Sequence, residues 1–286
     1  MSTVRRTLLA ATALSVLGAV VVAPAALAGE GVPAHRSPHA VGLTSDGMLV
    51  GFGTAAPGSA HEIGPVSGLK EDTRLVGIDY RVQDGELYGV GDRGGVYTVD
   101  DASGASSYLR RLSVPLEGTS FGVDFNPAAN ALRVVSDTGQ NLRQPFATVD
   151  APTAVDTPLT NPAVAPATGT VPARGVTAAG YTNNDLHAAT ATTLFDLDTV
   201  LDRVALQSPA NAGSLAPTGS LPADIGPDAG LDVHSTLAAG RAVANDAYAT
   251  VEVGGERRLW AVDLLTGDAT DRGMFPMAVV DLAVAL

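Results

Sequence analysis

AVGLTSDGMLVGFG (40–53) and LYGVGDRGGVYTVD (87–100) align without a gap, 47 residues apart. Gly42 meets Gly89, Leu43 meets Val90, Gly47 meets Gly94 and Leu49 meets Val96. A third copy, LRVVSDTGQNLR (132–143), puts Gly139 at the same turn position. Each copy reads as a strand, a tight glycine-containing turn and a second strand, which is a β-hairpin.

Outward from the hairpins, a second element precedes each one. VGIDYR (76–81), FGVDFN (121–126), AAGYTN (178–183) and AGLDVH (229–234) are short strands with small residues at their starts, and VVDLAVAL (279–286) reads as a fifth. A third element, aromatic-x-apolar-Asp, follows as VYTVD (96–100), LFDLD (194–198) and LWAVD (259–263). The unit is therefore four strands. Successive inner strands start near Gly77, Gly122, Ala178, Gly230 and Asp281, at spacings of 45, 56, 52 and 51 residues. That is the period of a four-stranded propeller blade. The first hairpin has no inner strand before it and the last inner strand has no hairpin after it, so the two termini together complete one blade. The expected fold is all-β, a five-bladed β-propeller closed by pairing N- and C-terminal strands. No segment sustains a 3.6-residue period, so almost no helix is expected. A β-sandwich or irregular all-β domain is the competing architecture.

The 286 residues include 45% hydrophobic and 5% aromatic residues, so the core must be built mainly from Val, Leu, Ile and Ala. There is no cysteine, which excludes disulfide staples, thiol catalysis and Cys-based metal sites. Residues 1–28 read as a secretory signal peptide. Arg5 and Arg6 form the positive region, a long apolar run follows, and Ala26-Leu27-Ala28 fits the small-residue cleavage rule. An uncleaved anchor is the alternative reading of the same run, and Arg5-Arg6-Thr7-Leu8-Leu9 loosely matches a twin-arginine signal. A flexible segment (29–39) and one propeller domain (40–286) then follow. Residues 1–28 hold two of the 17 basic and none of the 30 acidic residues, leaving a mature charge of −15. Such acidity argues against nucleic acid and against anionic membrane surfaces as partners. The expected location is secreted or in the cell envelope.

VVSDTGQNLR (134–143), FGVDFNP (121–127), AAGYTNN (178–184) and LWAVDLLTGDAT (259–270) resemble the domain of unknown function numbered 4394, a family of exported bacterial proteins. The resemblance covers residues 40 to 286. Phe52-Gly53 departs from that family's more typical aromatic-Asp pair, and Asp281 stands where Gly is common. The family has no established activity, so the resemblance implies no catalytic residues.

Two sets of residues are candidates for function. The third hairpin puts Asn141-Leu142-Arg143 where the second has Val96-Tyr97-Thr98, and its turn is rich in polar side chains. A departure from a repeat that sacrifices apolar burial is a functional signal. Asn126, Ser136, Asp137, Gln140, Asn141, Arg143, Asn183 and Asn184 are the tentative ligand-binding residues. Amides that donate and accept, together with an arginine fork, suit a hydroxyl-rich or carboxylate ligand. The alternative is that these side chains bond turn backbone.

Asp79, Asp124 and Asp232 fall at one repeat position, where the other two inner strands carry Gly180 and Ala283. Rotational repetition brings them towards one end of the ring. There they either bond backbone in the adjoining blade, bind Ca²⁺ through oxygen ligands, or supply a general acid and base. Ca²⁺ is the one cofactor this pattern raises.

Gly118-Thr119-Ser120-Phe121-Gly122 matches the nucleophile-elbow pattern, but a strand follows it rather than the required helix. His35, His39, His61, His187 and His234 have no metal-ligand spacing. Tyr80, Phe125 and Tyr181 share one repeat position and read as inter-blade packing rather than a stacking platform. The resulting expectation is a secreted, non-catalytic propeller that binds a small ligand, glycan or extracellular protein, with no catalytic residue assigned. A hydrolase of a sugar or lactone using the clustered Asp residues, and a structural cell-envelope protein, are the alternatives.

Overall fold

The computed structural model describes residues 37–286. The signal-peptide reading and His35 lie outside the described residues. Five four-stranded antiparallel sheets form a five-bladed β-propeller. Blade 1 takes its inner strand from the C-terminus (Val279–Val284) and the other three from the N-terminus (His39–Thr44, Met48–Gly53, His61–Pro65). Blade 2 is Leu75–Tyr80, Leu87–Gly91, Gly95–Val99 and Ser106–Arg111. Blade 3 is Phe121–Asn126, Ala131–Ser136, Asn141–Pro145 and Ala154–Val155. Blade 4 is Val176–Tyr181, Leu194–Asp198, Arg203–Gln207 and Leu215–Ser220. Blade 5 is Gly230–Ala238, Arg241–Val253, Glu256–Val262 and Ala269–Met274. A small two-stranded sheet, Thr160–Pro162 with Thr170–Pro172, lies between blades 3 and 4 in the chain. The helical content among the described residues is two three-residue 3-10 turns, Pro57–Ser59 and Ala210–Ala212.

The aligned glycines explain the hairpins. Gly47, Gly94 and Gly139 have φ of 82°, 83° and 86°, a left-handed conformation open to a residue without Cβ. Each donates its N–H three residues back, to the carbonyl of Thr44, Gly91 or Ser136, closing the same β-turn three times. In blade 1, Ala40 pairs with Val284 and Leu43 with Asp281, so the termini close the ring and remove its open edge.

Burial follows the blade seams. One apolar cluster lies between each pair of neighbouring blades, five in all. Val41, Leu43 and Leu49 meet Leu75, Ile78 and Tyr97 between blades 1 and 2, and Leu231, Val251 and Trp260 meet Phe195 and Leu197 between blades 5 and 4. Phe125 packs edge-on against Tyr88 and Phe146 at 5.1 and 4.9 Å, and Tyr80 and Tyr181 are also buried. The aromatic series is packing, as its repeat position suggested.

Two details differ from the sequence reading. LFDLD occupies the second strand of blade 4, not the third, because a connection from 182 to 193 carries no regular strand and shifts the aromatic-x-apolar-Asp pattern one strand inward. The first strand of blade 1 begins at His39, whose carbonyl accepts from Ala285.

The small residues at the inner-strand starts are there because those strands nearly touch. A Cβ on Gly122 would stand 2.6 Å from the Ala179 nitrogen and 2.7 Å from the Ala178 carbonyl carbon, both backbone atoms. Gly122→Ala is expected to destabilise the ring by about 1–3 kcal/mol, since overpacking forces backbone apart. Urea unfolding would measure it, and an unchanged midpoint would show that the blades can separate without loss.

Candidate functional site

The eight polar residues singled out from the sequence are not gathered into one pocket. Within blade 3, Ser136 pairs with Phe121 at one end and Asn126 pairs with Ala131 at the other, so these two sit about 17–20 Å apart along a six-residue strand. Asn183 and Asn184 follow Tyr181, whose N–H bonds Asp124, so they share the Asn126 end.

The turn residues mostly bond backbone. Asp137 accepts from the Thr119 N–H and hydroxyl at 2.9 and 2.7 Å. Gln140 accepts from Glu117 N–H and donates to the Pro115 carbonyl, and Ser136 shares a hydrogen bond with the Thr138 hydroxyl. Asn126 accepts from Ala129 N–H, Asn183 (φ 61°) donates to the Ala191 carbonyl, and Asn184 donates to the Val233 carbonyl. Arg143 forms a fork on Asp156, with both bonds at 3.1 Å.

Asn141 belongs to a buried network that the sequence reading missed. At its centre is Arg133, 1% exposed. One Arg133 Nη donates to Asn141 Oδ1 and Asp156 Oδ2 at 2.7 and 2.8 Å, the other donates to Asn211 Oδ1 at 2.7 Å, and Nε donates to the Tyr181 hydroxyl at 3.3 Å. Burial disfavours its charge, but Tyr181 and Asp156 outweigh burial and raise its pKa. Asp196, also fully buried and without a hydrogen-bond partner on either oxygen, has its pKa raised well above the usual range by burial, with Arg133 opposing and Asp198 adding. The signal was present in the hairpin alignment, where Arg133 occupies the position of Val41 and Tyr88.

The Asp series lies on the propeller axis. Asp79 Oδ2 accepts from Phe125 N–H at 2.6 Å, Asp124 Oδ1 from Tyr181 N–H at 3.2 Å, and Asp232 Oδ2 from Val284 N–H at 2.5 Å. In every case the donor is one residue past the matching position of the next blade, so the rotational repeat of the fold repeats the bond. Blades 4 and 1, with Gly180 and Ala283, cannot make it.

Asp281, two residues earlier on the blade 1 strand, accepts instead from Ile78 N–H at 2.8 Å. The flanking glycines make room for it: a Cβ on Gly230 would stand 2.4 Å from Asp281 Oδ1 and one on Gly77 3.3 Å from Oδ2. Asp281 is thus the second residue the sequence reading did not assign, although its departure from Gly was visible.

One oxygen each of Asp79, Asp124 and Asp232 lies within 4.8 Å of the others. Burial, then the neighbouring carboxylates, push the pKa values of Asp79 and Asp124 well up. Burial likewise raises Asp281, and raises Asp232 to about 6. Among the described residues no Lys or Arg forms an ion pair with any of the four. The donor set is all hard oxygen, which suits Ca²⁺ or another hard divalent cation.

Three concavities open on the ring, one of them lined by Asp281. A cavity of about 60 Å³ at the start of the inner strands is lined by Ser120, Thr177, Asp228 and Asp281 among others. At the opposite end a groove of about 340 Å³ is lined by Val82, Asn184, Leu186, His234, Leu237 and Leu286 among others. There His234 Nδ1 is hydrogen-bonded with the Ala285 carbonyl at 3.1 Å. A cleft of about 610 Å³ between blades 4 and 5 includes Tyr248, Asp263 and Arg272. His39, His61 and His187 are exposed, and none joins a group of metal ligands among the described residues.

The family profile for Domain of unknown function (DUF4394) matches residues 48–283. No curated protein matches. Among solved structures, the chain is similar to a computationally designed protein, Ika8 (12% identity, TM-score 0.35, covering 86% of this chain and 65% of that one). It is also similar to a protein from Lactobacillus plantarum (16%, 0.38, 83% and 66%). A third is an auxiliary nutrient binding protein from Bacteroides ovatus (11%, 0.39, 78% and 56%). The chain spans between 56% and 66% of the lengths of these three.

Proposed function

Starting from the fact that the chain belongs to the DUF4394 family, whose description carries no activity, we propose an exported, non-catalytic binding propeller. Its ligand face is the groove at the C-terminal ends of the inner strands. The observation that carries this reading is the groove itself. Residues that end or follow the inner strands of blades 1, 2, 4 and 5 converge there, with apolar walls and a few polar groups from Asn184, Ser235 and His234. A concave, mostly apolar site with a few placed polar groups is the usual form of a small-molecule site, and about 340 Å³ lies at the lower end of the usual range. Leu186, Leu237 and Leu286 remain exposed on its rim. The occupant is a small molecule with an apolar body and one or two hydrogen-bonding groups.

The hydrolase reading needs two carboxylates facing an open cleft. Asp79, Asp124 and Asp232 are buried and bonded to backbone, which counts against it.

A fragment panel read by methyl NMR tests the groove. Binders are expected to shift Leu186, Val233, Leu237 and Leu286, and Leu237→Arg is expected to weaken them at least tenfold while the remaining spectrum is retained. Binders that shift only residues around Tyr248, Asp263 and Arg272 would overturn the assignment.

A further inference from the structure

We propose that the groove selects a cationic hydrogen-bond donor, so that its ligand carries a primary ammonium group on an apolar body. This rests on the groove reading above and adds the sign of the charge that the site accepts. Four polar side chains line the groove: Asn184, Asp185, His234 and Ser235. Asp185 is 5% exposed, and its two oxygens accept from His187 N–H and Ala242 N–H at 2.7 Å each. These bonds fix the carboxylate between the 182–193 connection and the second strand of blade 5, and they leave lone pairs on both oxygens. Ser235 spends its one proton on Asn245 Oδ1 at 2.7 Å. The Ala285 carbonyl can only accept, so His234 Nδ1 carries the proton and Nε2 of the neutral ring is an acceptor. Asn184 donates to the Val233 carbonyl, and its Oδ1 has no donor among the described residues. The lining side chains therefore offer acceptors at four positions and one spare N–H, on Asn184.

Charge points the same way. Among the described residues no Lys or Arg lines the groove. Of the neighbouring cations, Arg81 is paired with Asp84, and Arg241 is exposed at the hairpin tip beside Gly240. Burial opposes ionisation of Asp185, but the N–H bonds from Ala242 and His187 outweigh it and hold its pKa below the usual carboxylate value. Asp246 adds a second negative charge, opposite His234 on the next strand. An alkylammonium ion brings three N–H donors and a positive charge to these acceptors. A carboxylate brings only further acceptors and a charge of the same sign as Asp185. The formal net charge of −13 also raises the local concentration of cations over anions. Val82, Leu186 and Leu237 supply the wall that receives the apolar body.

The test is a methyl NMR titration of the mature chain at pH 7.5 with hexylamine, hexanol and hexanoate, which share one apolar body. Hexyltrimethylammonium, which keeps the charge and lacks N–H donors, is the fourth probe. Hexylamine is expected to shift Leu186, Val233, Leu237 and Leu286, and to bind at least tenfold tighter than hexanoate and severalfold tighter than hexyltrimethylammonium. Asp185→Asn should reduce the preference for hexylamine over hexanol severalfold, a ratio taken within one variant and so insensitive to a general loss of stability. If that variant does not fold, the four probes on the parent chain decide alone. Hexanoate or hexyltrimethylammonium binding the groove as tightly as hexylamine would overturn the proposal and leave the groove standing as the ligand site. Groove methyls unmoved by all four probes would overturn both.

Discussion

In the presence of EDTA, the thermal midpoint is expected to fall by about 4–8 °C between pH 4.5 and pH 7.5, the reverse of the acid lability usual for proteins rich in ion-paired carboxylates. Asp232 carries the quantitative part. Burial raises its pKa from 3.8 to about 6, so between those values the folded chain holds a proton that the unfolded chain has released. Stability from this group is fully present below the unfolded value and is lost as pH rises through the folded one. Over this interval the loss is about 2 kcal/mol for Asp232, and for a chain of this size each kcal/mol moves the midpoint about 2–4 °C. Asp79, Asp124 and Asp281 shift in the same direction and enlarge the drop. Asp92 and Asp185 are shifted down instead, so the stability they lend is lost below the chosen interval, as pH falls through their folded values. Asp124→Asn should shrink the drop, since one axial carboxylate and its repulsion are gone. A midpoint that holds or rises towards pH 7.5 in EDTA would mean that the axial carboxylates ionise without penalty.

Arg133→Met is expected to cost about 3–5 kcal/mol of unfolding free energy in urea, whereas Arg143→Met should stay within about 1 kcal/mol. Both arginines touch Asp156. Arg133 is buried, and its removal strands the side chains of Asn141, Asp156 and Asn211, which then sit in a closed space with fewer donors. Breaking a buried pair by deleting one partner carries that penalty. Arg143 is partly exposed, and its fork competes with water and salt. Equal losses in the two variants would show that the network around Arg133 is not what joins blades 3 and 4.

The fold was legible because each blade repeats local chemistry. A positive-φ glycine in each aligned hairpin, small residues at four of the five inner-strand starts and a regular spacing are all local or periodic signals. Even the ring closure was readable, as a missing strand at one terminus and a spare strand at the other. The LFDLD segment misled because a twelve-residue connection without strand pattern hid which strand came next.

The site was read less well. Asn141 was selected as a ligand residue, but its amide is spent on Arg133, the Thr157 carbonyl and the Ala210 carbonyl. Arg133 and Asp281 were passed over although each broke the repeat as plainly as Asn141 did. A charged residue inside an apolar strand carries no mark of whether it meets solvent, a partner or an empty axis.

What the sequence determined by itself is therefore the blade, its count, its turns and the closure of the ring, since these depend on backbone conformation and on a period the chain repeats. What only the tertiary structure decided is which polar groups meet. Asp281 reaches Ile78 across 203 residues of chain, and Asp79, Asp124 and Asp232 converge from three blades. Such meetings depend on the rotation that brings separate inner strands to one axis, and no local pattern encodes the distance between side chains that different blades bring together.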